Sequence, residues 1–147
     1  LVEGAQEEAA MKDCIFCKII RGEIPSSKVF ENEKTLAFLD INPVSKGHTL
    51  VIPKTHYAGF SEIPADLLTE MGQLLQRVGQ AAKTHLGSDG FNVLLNNGRA
   101  AGQRIDHAHF HLLPRSTGDG VMGWPNVRPY AAGEMETVRS KLADALS

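Results

Sequence analysis

His107-Ala108-His109-Phe110-His111-Leu112-Leu113 is the stretch on which the reading of this chain turns. Three of the six histidines stand at alternate positions within five residues. In an extended strand, residues two apart project to the same face, so a strand over His107–Pro114 would line one surface with three imidazoles. Ala108, Phe110 and Leu112 would then turn to the opposite, core-side surface. A helix would bring His107 and His111 together and point His109 away, and the β-like surroundings favour the strand. Three readings of the row compete. The rings are fillers on a polar strand face, or metal ligands, imidazole being the commonest side-chain ligand, or catalytic groups in which one ring attacks and its neighbours orient it and move protons. The wholly apolar counter-face argues against fillers; the other two can coexist.

Working outward, Asp13–Arg21 places apolar residues at Ile15, Phe16, Ile19 and Ile20, which predicts a short amphipathic helix with Asp13 as its N-cap. Val29–Glu31 and Leu36–Asp40 flank the turn-rich Asn32-Glu33-Lys34 and read as a hairpin; His48–Pro53 reads as a third strand. Asp66–Leu86 carries Leu67, Met71, Leu74, Leu75, Val78 and Ala82 on one helical face. Phe91–Asn96 and the histidine strand are joined by the Gly-rich Asn97–Gln103, and a last helix is predicted over Gly133–Leu146. Five short strands and three helices without regular βαβ alternation predict an α+β domain on a mainly antiparallel five-stranded sheet, with two principal helices and a short N-terminal one.

The 147 residues suit one domain, expected over residues 11–147; Leu1–Ala10, acidic and aperiodic, reads as a disordered tail or an added extension. A 42% apolar and 22% charged composition is that of an ordinary globular chain. A net charge of −2 offers no electrostatic footprint for nucleic acid or an acidic membrane surface, so neither is an expected partner. There is no stretch resembling a membrane span or signal peptide, and two cysteines are too few for a disulfide scaffold. A cytoplasmic enzyme or binding domain is expected.

Two further features carry chemistry. Cys14 and Cys17 form a C-x-x-C, which alone is open between a redox pair, metal ligands and chance; the βαβ context of a thioredoxin-type pair is absent. A structural zinc would need two more ligands from elsewhere, and His56 and His107 are available. In the loop before the histidines, Gly98 and Gly102 permit positive φ and close approach of backbone N–H groups to an anion, and Asn96 and Gln103 add neutral amide donors.

Taken together, these segments resemble the histidine triad (HIT) superfamily of nucleotide hydrolases and transferases. The resemblance rests on His107–Leu113 and four accompanying segments in the same order: Cys14–Pro25, Ala37–Pro43, Gly47–Lys54 and Asn96–Gln103. It looks closest to short bacterial members allied with the nucleoside-phosphoramidase branch. It implies that His109 is the nucleophile at the α-phosphate of a purine nucleotide, with a covalent nucleotidyl-histidine intermediate. His111 would serve as the phosphate-side and leaving-group histidine, and His48 as a further active-site histidine. The apolar clamp on the base would be Ile15, Phe16, Ile19, Phe38 and Ile41, the ribose carboxylate Asp40, and the phosphate loop Asn96, Gly102 and Gln103. One structural zinc per chain on Cys14, Cys17, His56 and His107 is implied, with no catalytic cofactor, and a homodimer in which the segment around Trp124-Pro125 borders the neighbour's site. Arg104 departs from the pattern, standing where many members of this branch carry a small hydroxyl residue. Adenosine phosphoramidate is the favoured substrate. The alternatives are a dinucleoside polyphosphate hydrolase and a zinc-stabilised nucleotide-binding or interaction module with incidental activity. A uridylyltransferase is disfavoured by the short chain and by Ala108 in place of that group's proline.

Overall fold

The computed structural model describes residues 11–121 and 129–147, so the Leu1–Ala10 tail and Trp124-Pro125 lie outside the described residues. Five antiparallel strands form one sheet in the order β1-β2-β3-β5-β4: β1 Lys28–Glu31, β2 Thr35–Leu39, β3 Thr49–Pro53, β4 Gly90–Leu95 and β5 Phe110–Arg115. Helix α1, Ile15–Ile20, precedes the sheet, α2, Ala65–His85, joins β3 to β4, and α3, Glu134–Leu146, closes the chain. The α+β class and the five-stranded sheet are those expected. No helix among the described residues is long and apolar enough to cross a membrane.

The two faces of the sheet hold separate cores, and strand alternation assigns residues to each. On one face, Leu67, Met71, Leu74, Leu75 and Val78 of α2 pack on Ala37, Val51, Ala108 and Leu112. The i, i+3, i+4, i+7 spacing of the helical residues provides the apolar stripe that this face requires. On the other, Phe16, Cys17 and Ile19 of α1, with Cys14, pack on Leu36, Phe38, Leu50 and Ile52. Central strands β2 and β3 are covered on both sides, which accounts for their near-continuous burial.

Two local expectations are corrected. Helix α1 is capped by Cys14 rather than Asp13: the Cys14 Sγ accepts the Cys17 N–H at 3.4 Å. Strand β5 begins at Phe110, so His107–His109 run ahead of the ladder. The cause lies in the facing strand, where Pro53 has no N–H to offer and its carbonyl is taken by a His107 ring nitrogen at 2.8 Å. The Ala108 N–H bonds to the Tyr57 carbonyl instead, at 2.7 Å. The alternation survives: Ala108 and Leu112 share the α2 core, while the rings of His107 and His109 both meet Phe16 on the α1 face.

Candidate active site

The three histidines of the row sort into two neighbouring clusters. His107, fully buried, turns its Nδ1 to Cys14 Sγ at 3.5 Å, Cys17 Sγ at 3.6 Å and His56 Nδ1 at 3.2 Å. Cys17 Sγ in turn lies 3.3 Å from His56 Nδ1. The His107 tautomer is settled by its other nitrogen. Pro53 O can only accept, so Nε2 carries the proton and Nδ1 presents a lone pair to the sulfurs. Burial, and then the neighbouring Cys14, push the Cys17 thiol up to about 12, so the pair is costly to ionise without a cation between its members. Two sulfurs and two ring nitrogens, all within 4.8 Å of one another, are a donor set that can hold a metal ion.

His109, His111 and His48 line a cleft of about 580 Å³. His109 is buried and its Nδ1–H donates to the His107 carbonyl at 2.8 Å, leaving Nε2 unprotonated. Phe16 meets the His109 ring edge-on, with centroids 5.0 Å apart, and restricts its rotation. On the other side the Val44 N–H donates to His48 Nδ1 at 3.1 Å, so His48 carries its proton on Nε2. From there it donates to His111 Nδ1 at 2.9 Å, and His111 is left with a free Nε2–H. Asp40, His48 and His111 are close enough to share a cation, but this tautomer makes His48 and His111 a hydrogen-bond chain ending on a donor, with Asp40 Oδ2 3.7 Å from His48 Nε2. Burial lowers the pKa of all three rings. His111, where His109 and His48 add to the effect, falls to about 4; at His109 the bond to the His107 carbonyl opposes the shift, and at His48 the Asp40 charge does. All three are neutral near pH 7.

Ile15, Phe16, Ile19, Phe38, Asp40 and Ile41 line the rest of the cleft, together with Asn96 and Gly102. The positive φ of Gly98 and Gly102, +92° and +94°, makes the tight turn that brings Asn96 and Gly102 to the wall. Gln103 is the exception. It is buried off the cleft wall, its Oε1 accepting the Gly98 N–H at 2.8 Å and its Nε2 donating to the Ala58 and Ile105 carbonyls at 2.7 and 2.9 Å. With both ends of its amide engaged, Gln103 fastens the loop rather than facing a ligand. Ile24, Val44, Leu50, Arg104 and Ile105 line the cleft without having been assigned from sequence. For Leu50 a signal existed, since it shares the strand face of His48 by period-two alternation. For the Val44 N–H and the Pro53 carbonyl none existed, because every ordinary residue carries a backbone donor and acceptor.

An antiparallel α+β sheet with a histidine row set over an apolar cleft defines the HIT class of fold. The HIT domain family matches residues 21–118, and the chain belongs to that family. It is 55% identical over 107 residues to an uncharacterised HIT-like protein of Methanocaldococcus jannaschii, covering 73% of this chain and 82% of that one. It is 47% identical over 124 residues to an adenosine 5′-monophosphoramidase of Candida albicans, covering 80% and 81%. Among solved structures it resembles a HIT family member from Bacillus subtilis, with a TM-score of 0.82, 41% identity and 92% and 98% of the two chains covered. It also resembles a zinc-bound histidine triad family protein from Mycobacterium smegmatis, with a TM-score of 0.73, 36% identity and coverage of 92% and 96%.

The buried neutral state of His111 has a consequence for stability. Its folded pKa of about 4 lies below the ordinary 6.5, so between these values the unfolded chain binds a proton that the folded chain refuses. This contribution is fully present above pH 6.5 and is lost as pH falls towards 4. Replacing His111 with Asn is expected to flatten the fall of the thermal midpoint over this window, as measured by circular dichroism melts from pH 7 to 4.5.

Proposed function

We propose that this chain hydrolyses purine nucleotides at the α-phosphate, with adenosine phosphoramidate as the favoured substrate and a nucleotidyl-histidine as intermediate. The observation that carries the reading is the Nδ1–H bond from His109 to the His107 carbonyl, which holds Nε2 bare inside the cleft. The His109 Nε2 lone pair attacks the α-phosphorus. As the new P–N bond forms, the bond to the amine breaks, and the amine leaves with the electron pair and a proton delivered through His111 Nε2, which solvent replaces so that the ring stays neutral. A water then enters, loses a proton to solvent through His111 and displaces the His109 nitrogen, restoring both rings and releasing the nucleoside monophosphate. The hydrogen bonds from Val44 to His48 and from His48 to His111 hold His111 in the tautomer that donates. Phe16, Phe38, Ile15, Ile19 and Ile41 supply a dry slot for a base, and Asp40 an acceptor for ribose hydroxyls. Gln103 acts here as a positioning residue for the phosphate loop.

His109→Ala is expected to lower kcat for adenosine phosphoramidate by about 10³-fold or more while nucleotide binding persists. Rapid quenching of the native protein with labelled substrate should yield an adduct that peptide mapping places at His109. Hydrolysis undiminished in the variant would refute the assignment.

The two-sulfur, two-nitrogen cluster fits structural zinc. A tetrahedral ion with Zn–S near 2.3 Å and Zn–N near 2.05 Å has S···N edges of about 3.5 Å and N···N edges of about 3.3 Å. The observed separations are 3.3–3.6 Å between sulfur and nitrogen and 3.2 Å between the nitrogens. When bound there, zinc would hold α1 and the loop carrying His56 to the segment that ends at His109. About one equivalent per chain is expected in protein purified without added metal, and less than about half in Cys17→Ser. A native protein free of zinc by elemental analysis would refute this part.

A homodimer through the β4 edge completes the proposal. Phe91, Val93 and Leu94 of this edge strand are exposed, and no residue of α3 is buried, although Met135, Val138 and Leu142 recur at helical spacing. An exposed apolar edge is a template for another strand, and a second copy of the same edge would continue the sheet. Sedimentation is expected to give twice the monomer mass for the native protein and the monomer mass for Val93→Lys; a native monomer would refute it.

A further inference from the structure

The side chains around the cleft carry two formal charges of opposite sign, the carboxylate of Asp40 and the guanidinium of Arg104. Arg104 is the one lysine or arginine lining the cleft among the described residues. It differs from the other described arginines in being unengaged. Arg21 pairs with Glu23, Arg99 with Asp106, Arg115 with Asp119 and Arg139 with Glu136, while Arg77 lies over the Phe30 ring. Among the described residues, no carboxylate, carbonyl or ring meets the Arg104 guanidinium. Its backbone, by contrast, is fastened: the Arg104 carbonyl accepts from Arg99 Nη1 at 3.0 Å, and the preceding residue is the doubly anchored Gln103. A fixed backbone thus presents an uncommitted, delocalised cation on the wall of the cleft that Asn96, Gly102 and His111 also line.

We infer that Arg104 is a specificity-determining residue that extends the reaction to nucleotide substrates whose leaving group is an oxyanion, raising their turnover relative to the phosphoramidate. This rests on the reading of the cleft given under Proposed function. The two kinds of leaving group make different demands. An amine takes the electron pair of the breaking P–N bond and must also receive a proton, which His111 Nε2 supplies. A sulfate takes the pair of the breaking P–O bond and departs as a dianion. It needs no proton, but its charge must be met by a positive group. The planar guanidinium fork suits a tetrahedral oxyanion in geometry and charge. A side chain that served the shared α-phosphate would instead help both substrates alike.

The test compares kcat/KM for adenosine 5′-phosphosulfate and adenosine 5′-phosphoramidate in the native protein, Arg104→Gln and Arg104→Lys. In Arg104→Gln the sulfate-to-amidate ratio is expected to fall about tenfold or more, the size of a lost charge-assisted contact. Arg104→Lys should retain most of the ratio. Added salt should depress native turnover of the sulfate more than of the amidate, and this difference should vanish in Arg104→Gln. An equal fall for both substrates would place Arg104 on the α-phosphate and overturn the inference while leaving the function intact. Native protein that turns over neither substrate would overturn the function itself.

Discussion

The site is organised around one buried ring. His107 is fully enclosed, and three of its groups are used at once. Its Nε2–H goes to the end of β3 at Pro53, its Nδ1 faces the cysteines of the first turn, and its carbonyl receives the Nδ1–H of His109. Each contact sets the next. The proline carbonyl determines which nitrogen of His107 is bare, and the bare nitrogen suits it to the sulfur-rich cluster. The backbone carbonyl of the same residue then determines which nitrogen of His109 is free for a ligand. Fixing a tautomer in this way costs little when the acceptor is a carbonyl, because a carbonyl has no alternative role. A hydroxyl or water in the same place could both donate and accept, and would leave the choice open.

The strand supplies the spacing that the ring alone cannot. Because alternate residues share a face, His107 and His109 both reach Phe16, and His109 and His111 sit with centroids 5.0 Å apart. A one-residue slip would send all three imidazoles into the α2 core and Ala108 and Leu112 into the cleft. Register is protected by the apolar counter-face. Leu112 is fully buried against Ala37, Val51 and the α2 stripe, so the packing that stabilises one side of the sheet also positions the chemistry on the other. The short α1 contributes in the same economical way. Its cap is Cys14, one of the cluster sulfurs, and its second residue is the Phe16 that restricts His109.

How far this was legible from sequence depended on whether an interaction leaves a mark on residue type. Periodicity marked the shared face of the histidines and the apolar stripe of α2, because both are properties of spacing. The C-x-x-C placed two sulfurs on one helical turn, but which distant residues would meet them had no local signature. His56 and His107 came into that set through the family resemblance, and the structure brings all four together. The backbone partners were invisible, since the Val44 N–H and the Pro53 carbonyl belong to the chain rather than to a side chain. Asp13 has the composition of an N-cap, yet the turn begins one residue later, where a thiol accepts the bond. Gln103 has the donors of a phosphate ligand, yet the positive φ of the adjacent glycine turns its amide inward, where three backbone groups claim it.

The second departure has a general cause. A polar side chain can satisfy either a ligand or the backbone, and the loop proposed to meet an anion has some of its amides spent on itself. Gln103 gives up contact with the cleft and in return fixes Gly98, Ala58 and Ile105 relative to one another. Asn97 does the same at the loop's outer edge, accepting the Phe60 N–H at 2.9 Å. A loop fastened at both places reaches the cleft with little freedom left to lose. Its glycine backbone and the Asn96 amide can therefore meet a developing charge without reorganising, which is where preorganised donors stabilise most. On this account the polar residues that touch no ligand are as necessary to the phosphate end as those that would.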